Sequence, residues 1–448
     1  MLELAGRIEA NLVSLVPPGS AILIGLSGGV DSVVLLYLLS QLSPRYSWVL
    51  SALHVHHGIS PNADHWADFC AGLCKKLGIP IRIVRVDITP LRALGLEAAA
   101  RKLRNEVFAR QHGEFVALAH HADDQVETLL LQLLRGSGVK GACAMPELSA
   151  VLAAGYQLVR PLLSITRQEI LACARENNLQ WIEDESNADD SYPRNFLRHQ
   201  LLPLLSEKFP AYRDTMVRST QHFAEASALL DDLARLDAQD VFAGETAGVL
   251  GRDFILTVAR LQVLALSRRK NLLRYYLDQQ GAPMPQTVQL DDMLKQLCGA
   301  RQDAMLCIRF AKDWQVRRYQ GGIYVLRDFV AFDRHFVWLW RGEKSLNWPA
   351  LAVILTFTSS VGEGMSLSSL QDEPVTVRFR QGGEVIRPFL HGPNRTLKNL
   401  FQEYGVPPWQ RDRFPLLYCG EVLVCVPGIV IAANYQANKF EAGILVNF

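Results

Sequence analysis

Short apolar runs alternate with helical patterns over about the first 160 residues of the chain. The runs are rich in β-branched residues and lie at residues 21–26, 48–55, 81–88, 115–120 and 156–162. The helical patterns follow Gly29, Asn62, Gly95 and Asp123. The runs are largely apolar at consecutive positions, which is typical of strands that helices cover on both faces. Because strands that alternate with helices form βαβ units, the pattern predicts an α/β fold with an N-terminal doubly wound parallel sheet of the Rossmann-like type.

The pattern becomes mainly helical after this region. The stretch "TRQE", which begins at Thr166, has the spacing of a capping box and predicts a helix that ends near Asn177. Residues 183–195 contain many turn formers and predict an ordered loop. From about residue 203 to residue 297 the pattern is helical, and its clearest helix is predicted at 259–281.

The rest of the chain predicts small β structures. Residues 304–328 predict an antiparallel meander that turns at 312–313 and at 321–322. Residues 358–374 are rich in serine and glycine and predict a linker. We therefore predict three domains: an α/β domain at 1–215, a mainly helical central domain with the small meander at 216–355, and a small α/β C-terminal domain at 371–448.

Composition and charge exclude few classes of protein. The chain has 448 residues, of which 49% are hydrophobic and 20% are charged, as in ordinary globular proteins. A net charge of +1 leaves the partner open, although a local basic patch can still bind phosphates. The longest apolar stretch, 422–433, is too short for a bilayer and predicts a buried hairpin. With eight scattered cysteines and no leader pattern, we expect a cytoplasmic protein without a membrane span.

A glycine-rich loop, "SGGVDS", separates the first strand from the helix that follows it. Backbone N–H groups in such a loop, together with a helix N-terminus, suit a pyrophosphate. The chain has no "GK" followed by Ser or Thr, which disfavours a Walker-type kinase or GTPase. A carboxylate beside phosphates needs a cation between them, so we predict Mg²⁺ with Asp31 as its ligand. The predicted nucleotide-binding residues of the loop are Ser27, Gly28, Gly29, Val30, Asp31 and Ser32.

Acidic and histidine residues follow two other predicted strands, at the sheet edge where ligands bind in doubly wound folds. Asp124 and Glu127 are three residues apart, so they share one helical face and can hold one cationic group. The alternative is that both complement the helix dipole. Asp123 is predicted as the N-cap of this helix. Three histidines at the end of the second strand can reach nucleotide phosphate or ribose, and zinc is disfavoured because thiolates are absent there: His54, His56 and His57.

Basic residues occur in three further places. Arg101 and Arg104 share a helical face, and their planar guanidinium groups suit phosphate; the alternative is an ordinary charged surface. The polar segment near residue 190 contains Arg194, Asn195 and Arg198, for which we favour a substrate-binding role over a solvated loop. In the C-terminal domain, basic residues including Arg378, Arg380, Arg395 and Lys398 are interleaved with Phe379, Phe389, Phe401, Tyr404, Trp409 and Phe414. That combination suits RNA, or equally a small domain with a charged surface.

These motifs together resemble a known enzyme family. "SGGVDS" is similar to the pyrophosphatase-type loop (PP-loop) of the adenine nucleotide alpha hydrolases, which split ATP between its α and β phosphates. The stretches "ALHVHHGISPNADHW", "EAAARKLRNEVF", "ALAHHADDQVETLLLQLLRGSG" and "WIEDESNADDSYPRNFLRH" resemble the tRNA(Ile)-lysidine synthetases. A weaker resemblance in the last domain rests on "VRFRQGGEVIRP" and "LKNLFQEYGVPPWQRDRFPLLY".

The resemblance implies a ligase that uses ATP and Mg²⁺ to join L-lysine to the wobble cytidine of a tRNA(Ile) with a CAU anticodon. It implies catalytic roles for Asp31, Arg101, Arg104, Asp124 and Glu127, with Asp124 and Glu127 holding the lysine. The segment with Arg194, Asn195 and Arg198 is then expected to fold against the nucleotide and the tRNA and to bind substrate. The basic residues of the C-terminal domain are expected to bind the tRNA. A homodimer is also among the expectations, whereas the sequence leaves the oligomeric state open.

Two other kinds of function remain open at this stage. The first is another enzyme of the same loop family, such as a tRNA thiolase, an amide-forming nucleotide synthetase or argininosuccinate synthetase. Thiolases commonly carry paired cysteines near the site, and the cysteines of this chain lack that spacing. The second is a catalytically silent RNA-binding protein, which the intact acids of "SGGVDS" and "DDQVET" disfavour.

Overall fold

The computed structural model describes residues 2–111, 114–151, 155–185, 189–238, 255–301, 304–329, 331–348, 353–371 and 373–447. Contacts between residues divide the chain into two units, Met1–Leu229 and Leu230–Phe448. None of the helices in the described ranges is long and apolar enough to cross a membrane.

A five-stranded parallel sheet forms the centre of the first unit. Its strands are β1 (Ala21–Gly25), β2 (Val49–His56), β3 (Ile81–Arg85), β4 (Phe115–Ala117) and β5 (Gln157–Val159). The strand order is β3-β2-β1-β4-β5, and all four pairings are parallel. The order changes direction at β1, so the crevice beyond the carboxyl ends of β1 and β4 is the switch point where such sheets bind ligands. The predicted doubly wound sheet is confirmed.

α-Helices precede, alternate with and follow these strands along the chain. They are α1 (Leu2–Leu15), α2 (Val30–Tyr46), α3 (Ala63–Leu77), α4 (Leu96–Ala109), α5 (Ala122–Leu134), α6 (Val139–Ala142), α7 (Arg167–Glu176), α8 (Pro193–Phe196), α9 (Leu202–Lys208) and α10 (Tyr212–Ala238), with a 3₁₀ helix at Thr89–Leu94. Ile22 and Ile24 of β1 pack with Leu35 of α2 in one core, in which Cys70 and Cys74 are also fully buried. Because α2 starts directly after the glycine loop, this packing fixes the loop at the sheet edge.

The segment between α7 and α10 differs from its prediction. The capping box at Thr166 is confirmed, since its Oγ1 accepts a hydrogen bond from the Glu169 amide. The predicted loop at 183–195 is wrong at its end, because helical structure already begins at Pro193; residues 186–188 lie outside the described residues. Proline suits a first helical position, where its missing N–H costs no hydrogen bond. A π-helical turn at Leu197–Leu201 joins α8 to α9, a feature that often accompanies functional sites.

Helices and a small sheet begin the second unit. They are β6 (Leu256–Thr257), α11 (Val258–Val263), α12 (Leu266–Gln279), α13 (Thr287–Gly299), β7 (Leu306–Ala311), β8 (Trp314–Tyr319) and β9 (Gly322–Arg327). The predicted meander is confirmed, with its second turn at 320–321, one residue earlier than predicted. The single helix predicted at 259–281 is wrong, because the chain is extended at Leu264 and Ala265. The Arg269 guanidinium donates to the Leu264 and Gln262 carbonyl oxygens, which satisfies groups that the break leaves without helical partners.

Antiparallel sheets make up the rest of the second unit. Their strands are β10 (Val337–Leu339), β11 (Ser345–Trp348), β12 (Val353–Val361), β13 (Met365–Ser366), β14 (Val375–Phe379), β15 (Val385–Ile386), β16 (Arg395–Thr396), β17 (Pro415–Cys419), β18 (Val422–Val426), β19 (Val430–Ile431) and β20 (Ala442–Asn447), with helices α14 (Leu397–Glu403) and α15 (Pro408–Arg411). The strand orders are β10-β14-β17-β18-β19, β11-β12-β20-β13 and β15-β16. The buried hairpin predicted at 422–433 is confirmed by the β18 and β19 pair.

The linker predicted at 358–374 is wrong. Thr358 and its neighbours pair with β20, and Ser366 is buried. A Cβ on Gly364 would lie 2.5 Å from the Ile444 carbonyl oxygen, so this glycine serves a close backbone approach rather than flexibility. The three-domain division stays a prediction; strands on both sides of residue 371 share sheets, since β10 pairs with β14 and β12 with β20.

Candidate active site

The glycine loop lies at the carboxyl end of β1 and is held by a serine pair. Ser32 is buried, and its Oγ accepts hydrogen bonds from the amides of Ser27 (3.2 Å) and Gly28 (3.1 Å) while donating to the Gly29 carbonyl oxygen (2.9 Å). Gly28 has a φ of +93°, and a Cβ there would lie 2.9 Å from the side chain of Ile182. The loop therefore needs glycine at this position, and it precedes a helix N-terminus that can receive phosphate.

Asp31 lies in the first turn of α2 and faces the crevice. Its Oδ1 is buried and has no hydrogen-bond partner among the described residues, while its Oδ2 lies 3.8 Å from His121 Nε2. Burial raises the pKa of Asp31, opposed by the charges of His121, Arg167 and Arg198. A buried carboxylate oxygen without a partner is costly unless a ligand satisfies it, and carboxylate oxygens are preferred ligands of Mg²⁺. Asp31 therefore fits the predicted cation.

The N-terminus of α5 is capped by His121, so the prediction that Asp123 is the N-cap is wrong. His121 Nδ1 accepts from the Asp124 amide, and Asp124 Oδ2 accepts from the His121 amide, which makes a reciprocal capping box. Asp123 instead accepts from the Arg167 amide and from the Arg213 guanidinium. His121 is also 3.5 Å from Asp124 Oδ2, so one buried ring lies between Asp31 and Asp124.

Asp124 and Glu127 share one face of α5, as predicted, and two guanidinium groups of this chain bind them. Glu127 is fully buried and accepts from Arg194 Nε (2.8 Å), Arg198 Nε (2.8 Å) and Arg198 Nη2 (3.1 Å). Asp124 Oδ1 lies 3.4 Å from Arg198 Nη2 and 3.7 Å from Arg194 Nη2. We call these four residues the acid–arginine cluster. The negative charges of its two carboxylates formally cancel the positive charges of its two guanidinium groups. Asp124 is the more exposed of the two acids, with 14% of its side chain accessible.

Of the three predicted histidines, His54 and His56 lie at the end of β2 and His57 directly follows it, and their surroundings differ. His54 is buried, and its Nδ1 lies 2.9 Å from the Leu26 carbonyl oxygen, next to the glycine loop. His56 is buried against Asp64, which also binds Arg85. His57 Nδ1 is buried without a partner among the described residues, and burial and the Arg104 charge lower the pKa of His57 to about 4. His57 is therefore neutral at physiological pH.

The remaining predicted residues of the first unit lie on helices. Arg104 of α4 lies close enough to His57 and His120 for its charge to lower the pKa of both rings. Arg101 is exposed on the same helix. Asn195 is buried in α8, where its Nδ2 donates to the Asp189 carbonyl oxygen. Asn195 thus anchors the chain that carries the two arginines of the cluster.

Sequence reasoning missed Arg160, which directly follows β5. Arg160 is buried, and it donates to His120 Nδ1 (3.2 Å) and to the Pro146 carbonyl oxygen (2.7 Å). The available signal was an arginine at the carboxyl end of a predicted buried strand, in "YQLVRPL". Such an end lies at the ligand-binding edge of a parallel sheet.

The basic residues predicted in the C-terminal domain belong to the second unit, and most are ion-paired there. Arg378 binds Glu421 (2.9 Å) and covers the Tyr418 ring. Arg380 lies 3.7 Å from both Glu384 and Asp412, and Arg395 binds Glu403. Lys398 is exposed on α14, without an ion pair among the described residues.

The aromatic residues predicted beside them divide into two groups, apart from Trp409, which is half-buried against Tyr319 and Tyr324. Phe379, Phe401 and Phe414 are buried, so the prediction that they stack on RNA bases is wrong. Phe401 on α14 and Phe414, which precedes β17, fill one hydrophobic core, and Phe379 on β14 packs against Trp348. Phe389 and Tyr404 are 73% and 48% exposed and remain available to a base.

Comparisons with known proteins match most of the chain. Family models match a PP-loop domain at residues 4–205, a TilS substrate binding domain at 256–324 and a TilS substrate C-terminal domain at 375–448. A tRNA(Ile)-lysidine synthase of Nitrosomonas europaea is 43% identical over 97% of this chain and 93% of its own length. One of Coxiella burnetii is 38% identical over 94% of this chain and 91% of its own length. Among solved structures, a U34-tRNA thiolase of Methanococcus maripaludis matches with a TM-score of 0.44 and 21% identity, covering 50% of this chain and 79% of that chain.

Proposed function

Because the chain belongs to the tRNA(Ile)-lysidine synthase family, we propose that it joins L-lysine to C2 of the wobble cytidine of a tRNA(Ile) with a CAU anticodon. It is a tRNA-modifying ligase that uses ATP. The observation that carries the finer proposal is the position of Asp31. Its Oδ1, which has no hydrogen-bond partner among the residues that the structure describes, lies beside the glycine loop, and His121 lies between the carboxylates of Asp31 and Asp124. The proposal places the reaction in the cytoplasm; a homodimer stays a prediction.

The first proposed step is adenylation of the cytidine. The cytidine O2 attacks the α-phosphorus of ATP, the bond between that phosphorus and the bridging oxygen breaks, and pyrophosphate leaves. The amides of the glycine loop and the N-terminus of α2 would receive the pyrophosphate charge. Arg104, whose charge lowers the pKa of His57 and His120, would contribute a further cation at the crevice. Asp31 would hold Mg²⁺, which supplies charge neutralisation for the polyphosphate when bound.

The second proposed step is attack of the lysine side-chain amine on C2. The new C–N bond replaces the C2–O bond, and AMP leaves with that oxygen. The ammonium form must first lose a proton, and a carboxylate beside it can accept one. Of the two predicted acids, Asp124 is the more exposed, whereas Glu127 is enclosed by Arg194 and Arg198. We therefore assign the contact with the amine to Asp124 and the support of the cluster to Glu127.

Incorporation of radiolabelled lysine into tRNA transcripts tests the proposed function. We expect ATP-dependent labelling of a CAU-anticodon tRNA(Ile) and no labelling of a tRNA(Met) control or of a mixture without ATP. Labelling with no dependence on the wobble cytidine would contradict the assigned position. Release of pyrophosphate with another nucleophile, and none with lysine, would leave ATP use intact and discard lysine as the substrate.

Lys398 offers a test of tRNA binding by the second unit. Lys398→Glu is expected to raise the KM for tRNA about three- to tenfold and to reduce the salt dependence of binding, since it removes an exposed cation. The KM values for ATP and lysine should not change. Steady-state kinetics at two salt concentrations measure the effect, with Lys344→Glu, which is exposed and lies outside the three matched domains, as the control. Equal effects of the two substitutions would argue against a tRNA contact at Lys398.

Deletion of residues 371–448 should also weaken tRNA use. Because the deletion removes the strands that pair with β10 and β12, it also disrupts their sheets, and the Lys398 substitution is the more specific test.

A further inference from the structure

Arg160 is a buried cation without a carboxylate partner among the described residues. Its guanidinium donates through Nη1 to the Pro146 carbonyl oxygen and through Nε to His120 Nδ1. Burial lowers the pKa of Arg160 to about 10, so the group is still charged at neutral pH. Enclosing a charge without a counter-ion costs stability, and an apolar side chain would pack there at a lower cost. Arg160 therefore calls for an explanation beyond stability.

The contact determines the proton position on His120. A guanidinium has five N–H donors and no acceptor, so the nitrogen facing it must offer its lone pair. His120 Nδ1 is thus unprotonated, and the neutral ring carries its proton on Nε2. His120 Nε2 has no hydrogen-bond partner among the described residues, and the ring is partly exposed.

The charged groups around the ring keep it neutral. Burial lowers the pKa of His120 to about 3, and the charges of Arg160, of Arg104 on α4 and of Arg194 on α8 act in the same direction. Asp124 on α5 acts in the opposite direction. Because the pKa of His120 in the folded protein lies below 5, compared with an ordinary value of about 6.5, the ring gains no proton as pH falls from 7 to 5. His120 is consequently unsuited to accept a proton from the lysine ammonium.

We propose that Arg160 is a positioning residue that fixes His120 as the Nε2–H tautomer, so that His120 gives a neutral hydrogen bond to a carbonyl or phosphate oxygen of the substrate. This rests on the proposed function, because His120 lies three residues after the end of β4, at the switch point where the cytidine and ATP would meet. His120 then acts as a donor in both protonation states of Asp124.

The pH dependence of an Arg160→Met variant separates a donor from a base. Without Arg160, the neutral ring can move its proton to Nδ1 and present a lone pair to the substrate. At pH 8.5 we expect kcat for lysine incorporation to fall about tenfold, the loss of one positioned hydrogen bond. Because burial and the charges of Arg104 and Arg194 still lower the pKa of the ring in the variant, the ring stays neutral, and the roughly tenfold defect should persist from pH 8.5 down to pH 6. Arg160→Lys, which keeps a cationic donor, should lose less activity than Arg160→Met over the same range. A defect that grows towards low pH would overturn the donor role.

Nitrogen-15 NMR of histidine-labelled protein shows which ring nitrogen of His120 carries the proton, and the measurement needs no substrate. The His120 signal is the one lost in His120→Gln, and it should stay in the Nε2–H form from pH 5 to pH 9 in the unsubstituted protein. In Arg160→Met the ring should stay neutral, while part or all of the signal moves to the Nδ1–H form. A titrating His120 in the unsubstituted protein, or an unchanged spectrum in Arg160→Met, would refute the pairing. The two failures can be told apart. If the proposed function is wrong, the unsubstituted enzyme labels no tRNA with lysine, but the NMR spectrum still shows whether Arg160 fixes the tautomer of His120.

Discussion

Replacing Asp31 with alanine is expected to lower ATP-dependent lysine incorporation by about 10³-fold or more, the largest effect of any substitution considered for this chain. The reason is the position of the carboxylate. Its Oδ1 is buried and has no hydrogen-bond partner in the described part of the chain. It lies next to a loop whose amides suit phosphate, so a cation bound there would lose its protein ligand in the variant. Pyrophosphate release and lysine incorporation, measured in the same reactions, should fall together.

Asp31→Asn tests whether the loss comes from charge or from misfolding. Burial raises the pKa of Asp31 above its value in the unfolded chain, so its ionised form opposes folding at neutral pH. An uncharged side chain of the same size should therefore leave Tm unchanged or raise it, while activity falls as in Asp31→Ala. Mg²⁺ with ATP should raise the Tm of the unsubstituted protein more than that of the variant. Pyrophosphate release at the normal rate in either variant would disprove the role of Asp31.

The sequence predicts the parallel sheet and the glycine loop because both are encoded by neighbouring residues. β1 and its loop are read from one stretch, in which apolar residues end at Leu26 and glycines follow. The switch point also follows, since consecutive strands that alternate with helices permit few arrangements. The same local logic fails at residues 358–374, where serine and glycine are typical of a linker. There the distant strand β20 supplies the hydrogen bonds that turn the segment into a strand.

Contacts between distant residues explain what was missed at the site. The spacing of Asp124 and Glu127 predicts that they share a cation, but not that Arg194 and Arg198, about 70 residues away, already bind them. The separation is 71 residues between Arg198 and Glu127. The sequence alone is consistent with a packing role for His121, whereas in the structure its ring lies between Asp31 and Asp124. Side-chain hydrogen bonds of this kind leave no periodic trace in the sequence, so only the folded chain reveals them.

Glu127→Gln is expected to raise the KM for lysine about 10- to 100-fold, with a smaller change in the KM for ATP. The substitution leaves two guanidiniums facing one carboxylate, Asp124, in the acid–arginine cluster. The resulting positive charge repels an incoming ammonium, and the glutamine NH₂ group meets guanidinium donors where an acceptor is needed. ATP carries the opposite charge, so its binding should suffer less. Steady-state kinetics with each substrate varied in turn measure the two effects.

A charge-restoring double variant distinguishes this electrostatic account from local unfolding. Glu127→Gln combined with Arg194→Met again leaves one carboxylate facing one guanidinium, so it should recover part of the affinity for lysine. Arg194→Met alone shifts the cluster charge the other way and should not raise the KM for lysine through repulsion. If the double variant is worse than Glu127→Gln, and its Tm falls further, the cluster serves packing rather than charge balance. Loss of the Glu127 charge must change the electrostatic potential around the two arginines that enclose it. An unchanged KM for lysine in Glu127→Gln would therefore show that the acid–arginine cluster does not take part in lysine binding.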